Sequence, residues 1–146
     1  MNKSDIAVQE FLNGFTCSQA VFSTYCEELG FKKEDALKIG CAFGGGMGSL
    51  GHVCGAVTGA FMLLGLKYGN TDSKDKEAKA TTYKKVKEFA EKFKEKNGTI
   101  ICNELLKCDI STPEGRKYAE ENNLFRTVCP KFVKDAAEII EQMLKE

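Results

Sequence analysis

Residues 40–59, GCAFGGGMGSLGHVCGAVTG, hold eight glycines, two cysteines and the chain's one histidine, His52, between two apolar segments. Glycine loses more backbone freedom on folding than any other residue. A run this dense therefore marks places where the chain turns through positive φ or lets another group approach its backbone. The run from Gly44 to Gly51 is too glycine-rich to be helix interior, and chain direction is expected to change there. Any fold for this sequence has to be built around that reversal.

The rest of the chain reads as helices. Residues 4–12 form a short amphipathic candidate stopped by Asn13-Gly14. Thr16, three residues before Gln19, makes a capping-box arrangement that starts a second helix at Cys17 and carries it to Leu29, before Gly30. A third covers residues 33–43. Residues 54–66, CGAVTGAFMLLGL, are almost wholly apolar, so this helix is expected to be buried all round. It is shorter than the roughly 20 residues a membrane span needs. Gly55 and Gly59, one turn apart on it, would let a neighbouring helix or a cofactor come close to its backbone.

Thr71-Asp72-Ser73 offers caps for a long helix reaching Lys96, with Tyr83, Val86, Phe89, Ala90 and Phe93 as its apolar stripe. Short helices over 102–106 and 113–120 follow, the first capped by Thr99 and the second by Thr112 ahead of Pro113. Cys129-Pro130 puts Cys129 at the cap of a last helix ending at Leu144. Apart from a short extended piece at 99–101, no strand pattern is present. The expected fold is all-α: residues 1–146 as a single compact cysteine-rich domain of six or seven helices around a buried glycine-rich central helix.

Charge excludes several partners. Lysine plus arginine and aspartate plus glutamate both total 21, so no summed field gathers nucleic acid or an anionic membrane. The lysines of the long helix alternate with Glu77, Glu88, Glu91 and Glu95 and read as a solvated face. GGGMGSLG lacks the G-K-[ST] ending of a phosphate loop and no strand precedes it, so no nucleotide is expected. The opening MNKSDIAVQEFLNGF has no uninterrupted apolar core, and the expected compartment is cytoplasmic.

Seven cysteines in a reducing compartment point to metal binding, redox chemistry or core packing rather than to structural disulfides. No C-x-x-C occurs, so a site has to be assembled by the fold. Cys17, Cys54, Cys102 and Cys129 each fall at or within a turn of an expected helix N-terminus, where unpaired amides and the helix dipole favour a thiolate. Four such sulfurs match the ligand count of zinc or an iron-sulfur cluster. Cys54 and Cys17 are expected to be the principal sulfurs, with Cys102 and Cys129 completing the set. Gly44, Gly45, Gly46 and Gly48 would shape the pocket and offer backbone amides to the sulfurs. Arg126, three residues before Cys129, would offset thiolate charge. His52 is open to ligation, proton transfer or a solvent-facing loop position. Cys26, Cys41 and Cys108 read as packing, and burial is the plain alternative for every cysteine.

Cys17 within FTCSQAVF, the run GCAFGGGMG, CGAVTG at Cys54, CNELL at Cys102 and TVCPKFV at Cys129 together resemble the redox-active C_GCAxxG_C_C family, in order and over nearly the whole chain. The family's four-cysteine pattern falls on Cys17, Cys54, Cys102 and Cys129. Its named motif fits GCAFGG literally, and a C-G-A-x-x-G form fits CGAVTG, so Cys41 is a further candidate. The resemblance implies a redox or metal role and brings no established reaction, which leaves enzymatic turnover open. One function is a redox or electron-transfer protein using an iron-sulfur cluster or a dithiol/disulfide couple. Another is a metal-binding or metal-delivery protein with a zinc or soft-metal site, and a third is an all-helical interaction module with buried thiols. A redox or metal-transfer partner protein and a homodimer are both compatible with the pattern. Membrane insertion is not expected, nor is haem, since C-x-x-C-H is absent.

Overall fold

The structure, a computed structural model, describes all residues from 1 to 146. It is all-α, with helices α1 (Lys3–Leu12), α2 (Cys17–Tyr25), α3 (Lys33–Cys41), α4 (Gly55–Tyr68), α5 (Lys76–Asn97), α6 (Cys102–Leu106), α7 (Pro113–Glu121), α8 (Leu124–Thr127) and α9 (Cys129–Leu144). The only extended pairing is an antiparallel bridge between Val53 and Ile101. Helices outnumber the expected six or seven because short pieces separate: Asn123, at φ 56°, divides α7 from α8. The second helix also stops earlier than expected, at Tyr25. Glu27–Leu29 tightens into a 3-10 turn that Gly30 closes in the left-handed conformation at φ 81°.

Local chemistry explains the starts. Thr16 and Gln19 form the full capping box of α2, each side chain satisfying the other's backbone amide. Thr112 caps α7, with Pro113 in its first turn. Asp75 rather than residues 71–73 caps α5, accepting the amide of Ala78 at 3.0 Å. Ile101 rather than Thr99 caps α6, and Val128 rather than Cys129 caps α9, so Cys102 and Cys129 become the first helical residues.

Helix α4 packs against α2, α5 and α9. Its first six residues, 55–60, are all buried, whereas Leu66 is 36% exposed, so burial all round is confined to the N-terminal half. The fully buried Leu63 and Leu64 each contribute on the order of 1.5–3 kcal/mol of apolar burial. A run of rings, Phe61, Phe89, Phe93 and Phe132, joins α4, α5 and α9 at centroid spacings of 5.9, 6.3 and 6.3 Å. Tyr25 carries α2 onto α9: its buried hydroxyl donates to Glu141 Oε1 at 3.1 Å and lies 3.3 Å from the Ala137 carbonyl. No helix is long and apolar enough to cross a membrane.

Candidate functional site

Gly45, Gly46, Met47, Gly48 and Ser49 are five consecutive residues in the left-handed region, at φ 64°, 67°, 72°, 62° and 66°. Left-handed backbone costs an L side chain about 1–2 kcal/mol per residue, which is why glycine holds three of the five positions. The turn reverses the chain and locks onto its own exit: the amides of Gly51 and His52 donate to the carbonyls of Gly45 and Gly46 at 3.1 and 2.9 Å. The returning segment then lies against residues 100–103. Cys54 N–H donates to Ile100 O at 2.8 Å, Asn103 N–H donates to Gly51 O at 3.1 Å, and Cys102 N–H donates to His52 O. This ladder places the start of α4 beside the start of α6.

Absent side chains let the other helix starts close in. A Cβ on Gly55 would lie 3.0 Å from Ser18 N and 3.2 Å from Cys17 Cβ, so α4 begins almost on top of the first turn of α2. A Cβ on Gly46 would lie 2.7 Å from Cys102 Cβ. Four helices thus start around one cavity of about 380 Å³, with Cys17, Cys54, Cys102 and Cys129 in its wall. Gly44, Gly45, Gly46, Gly48 and Gly55 line it as well. Gly59 does not; it faces α2, where a Cβ would meet Ser18 O at 2.9 Å.

All seven cysteines are free thiols. The four at helix starts are not equivalent. Burial pushes the Cys54 thiol up to about 12, although the amides of Ala56 and Val57 pull the other way. Burial, then the charges of Cys54 and Cys129, also holds Cys102 at about 12. These two correct the expectation that a helix start makes each of the four a thiolate: desolvation of the charged form outweighs the dipole. Cys17 is raised well above the usual thiol range, first because its proton is shared with Cys129 and then by burial. Cys129 alone is lowered, because the Cys17 thiol stabilises its thiolate. Cys17 and Cys129 therefore form a pair in which each is shifted first by the other, while burial keeps Cys54 and Cys102 protonated.

No group of three or more histidine, cysteine, aspartate or glutamate side chains is disposed to hold a single metal ion. His52 is exposed and outside the cavity wall; its backbone, not its imidazole, serves the site. Of the three cysteines read as packing, only Cys26 is fully buried. Cys108 is half-buried, and Cys41 is exposed and lines the cavity. Arg126 reaches toward Leu12 O at 3.4 Å and is not in the wall. The arginine in the wall is Arg116, which sequence reasoning passed over. Its Nη1 donates to Ser49 Oγ at 2.7 Å, its Nε to Glu120 Oε1 at 3.2 Å, and its guanidinium lies 5.4 Å from the Phe125 ring centroid. The available signal was scarcity, since the chain has only two arginines. Phe11, Phe125, Phe132, Leu105 and Leu106 complete an apolar lining.

No curated protein and no solved structure matches the chain. A family model described as "Putative redox-active protein (C_GCAxxG_C_C)" matches residues 15–143, a span that includes all four helix-start cysteines, the glycine turn and Arg116. The chain belongs to the C_GCAxxG_C_C family.

Proposed function

We propose that this is a thiol redox protein whose working pair is Cys17 and Cys129, cycling between dithiol and disulfide. The observation that carries the reading is the meeting of two helix starts at one cavity: Cys17 opens α2, Cys129 opens α9, and both stand in the cavity wall as free thiols, each shifted in pKa first by the other. The Cys129 thiolate attacks one sulfur of a disulfide substrate, whose S–S bond breaks and whose far half leaves as a thiolate that takes up a proton. Cys17 then gives up its proton and attacks Cys129 Sγ, closing the Cys17–Cys129 bond and releasing the second half as a thiol. Two electrons pass to the substrate, and a dithiol or thiol reductant returns the protein to its starting state. Cys54 and Cys102 remain protonated wall groups in this cycle. The working pair is thus Cys17 with Cys129 rather than Cys17 with Cys54.

The test is anaerobic oxidation of the reduced protein by a limiting disulfide, with peptide mass spectrometry to locate the bond formed. A reversible Cys17–Cys129 disulfide is expected, abolished by Cys129→Ser and retained in Cys54→Ser. Bonds scattered over other cysteines, or an unchanged Cys129→Ser protein, would rule the reading out.

A second reading is favoured by a different observation, the placing of five cysteines around one cavity, four of them at helix starts and Cys41 at the rim, with no histidine or carboxylate in the wall. That donor set suits a sulfur-ligated iron cluster held by Cys17, Cys54, Cys102 and Cys129, which when bound would supply one-electron transfer. It does not suit a mononuclear zinc site, for which no three donors converge. Anaerobically purified protein that is brown, with iron and acid-labile sulfide lost in Cys54→Ser, would establish the cluster. Colourless protein with stoichiometric zinc would move the function to metal delivery.

A further inference from the structure

The cavity is graded from mouth to floor. Arg116, Cys41 and Gly48 are exposed at its rim, whereas Cys54, Cys102, Cys129 and Phe132 are buried in its depth. Arg116 is the only charged residue in a lining made otherwise of apolar, thiol, hydroxyl and glycine groups, and no carboxylate lines the cavity. Its Nε and Nη1 are engaged by Glu120 and Ser49, while Nη2 has no partner in the chain. Beside it, the amides of Gly45, Gly46 and Gly48 find no backbone acceptor, although each residue lines the cavity. Unpaired amides of a turn are an arrangement that receives anions; Gly45 and Gly46 present two in succession, while the amide of Met47 before Gly48 is taken by Phe43 O at 3.0 Å. The volume, about 380 Å³, lies in the range of small-molecule sites.

We propose that the substrate of this cavity is a small disulfide with an apolar body and an anionic end, the anion held between Arg116 and the glycine turn and the carbon body against Phe125 and Phe132. Seated that way, the molecule presents its S–S bond to the buried sulfurs. Cys129 attacks, one half departs as an anionic thiol, and Cys17 releases the other, with the same atom and electron balance as above. Arg116 is then the residue that sets specificity, touching the substrate's charge and not the reacting sulfurs.

The inference rests on the dithiol reading, and the experiment separates the two. Reduced protein is mixed anaerobically with the dianionic aromatic disulfide dithiobis-nitrobenzoate or with its neutral counterpart dithiodipyridine. The rate of Cys17–Cys129 bond formation is read by acid quench and peptide mass spectrometry, so that reaction at exposed Cys41 does not count. In Arg116→Gln the rate with the anionic reagent is expected to fall about tenfold, the scale of one charge-assisted hydrogen bond, while the neutral reagent keeps its rate within about twofold. Arg116→Lys should recover part of the loss. Equal losses with both reagents, or none with either, would overturn the role of Arg116. Absence of the Cys17–Cys129 bond with both reagents in the unsubstituted protein would overturn the dithiol reading and the substrate assignment together.

Discussion

Gly46→Ala isolates the contact on which the site depends. Gly46 sits at φ 67°, so alanine there first carries the left-handed penalty of about 1–2 kcal/mol. Its Cβ would then lie 2.7 Å from Cys102 Cβ, 2.7 Å from His52 N and 2.9 Å from Gly51 C. Two of those three atoms are backbone, and the third is the Cβ of a helix-start residue whose amide is already tied to His52 O. None can yield as the end of a flexible side chain would, so an overpacking cost of about 1–3 kcal/mol adds to the first. The natural control is Gly98→Ala. Gly98 has φ 85° and nothing within 4 Å of its would-be Cβ, so only the first cost applies. Far-UV circular dichroism during urea and thermal unfolding should show Gly98→Ala losing about 1–2 kcal/mol and Gly46→Ala about 2–5 kcal/mol. At about 3 °C per kcal/mol for a chain of this size, the melting temperatures should fall by about 3–6 °C and about 6–15 °C. The folded fraction of Gly46→Ala should also form the Cys17–Cys129 disulfide more slowly, because the wall around those sulfurs is displaced. Equal destabilisation by the two substitutions would refute the close approach of the glycine turn to α6, and with it the account of how the cavity is assembled.

The raised thiols make stability pH-dependent in a defined direction. Cys54 and Cys102 hold their protons to about 12 in the fold, against about 8.5 for an unperturbed thiol, so the native state binds those protons more tightly than the unfolded chain. Their contribution is complete below about pH 8.5 and is lost as pH rises toward 12. Urea midpoints should decline over that window, and the decline should be shallower in Cys54→Ala and Cys102→Ala. Some slope should persist, because burial and then the charge of Glu141 also hold the Tyr25 hydroxyl in its protonated form. A flat alkaline profile in the unsubstituted protein would contradict the burial argument. His52→Ala is expected to leave the disulfide-forming rate within about twofold and stability within about 0.5 kcal/mol, since the imidazole is exposed and only its backbone is used. A clear loss of rate in stopped-flow thiol kinetics would give that side chain a role the cavity wall does not assign it.

The helix starts were legible because N-terminal chemistry is local. Thr16 with Gln19, and Pro130 after Cys129, act within one turn, and the structure puts Cys17, Cys54, Cys102 and Cys129 at or next to helix caps. Which sulfur has its pKa lowered was not legible, because that is decided by what surrounds each one. Cys54 has the best helix-start position and is 4% exposed, and burial wins. Cys129 is nearly as buried, at 7%, and differs in having Cys17 opposite it, more than a hundred residues away along the chain. The glycine run announced positive φ, but not that Met47 and Ser49 would share it and extend the turn to five residues. Arg116 was hidden for a related reason: its partner Ser49 lies 67 residues earlier, on the turn itself.

That last contact links the readable and unreadable parts of the site. Ser49 is held at φ 66°, a conformation that an L residue leaves unless its surroundings fix it, and the Arg116 guanidinium bonds its hydroxyl while resting on Phe125. A single side chain from α7 therefore steadies the strained end of the glycine turn and supplies the one charge in the cavity wall. The geometry that gathers the four sulfurs and the chemistry that would choose their substrate meet at one residue. This is why Arg116→Gln is read with both a charged and a neutral disulfide: slackening of the turn slows both reagents, and loss of the charge slows only one.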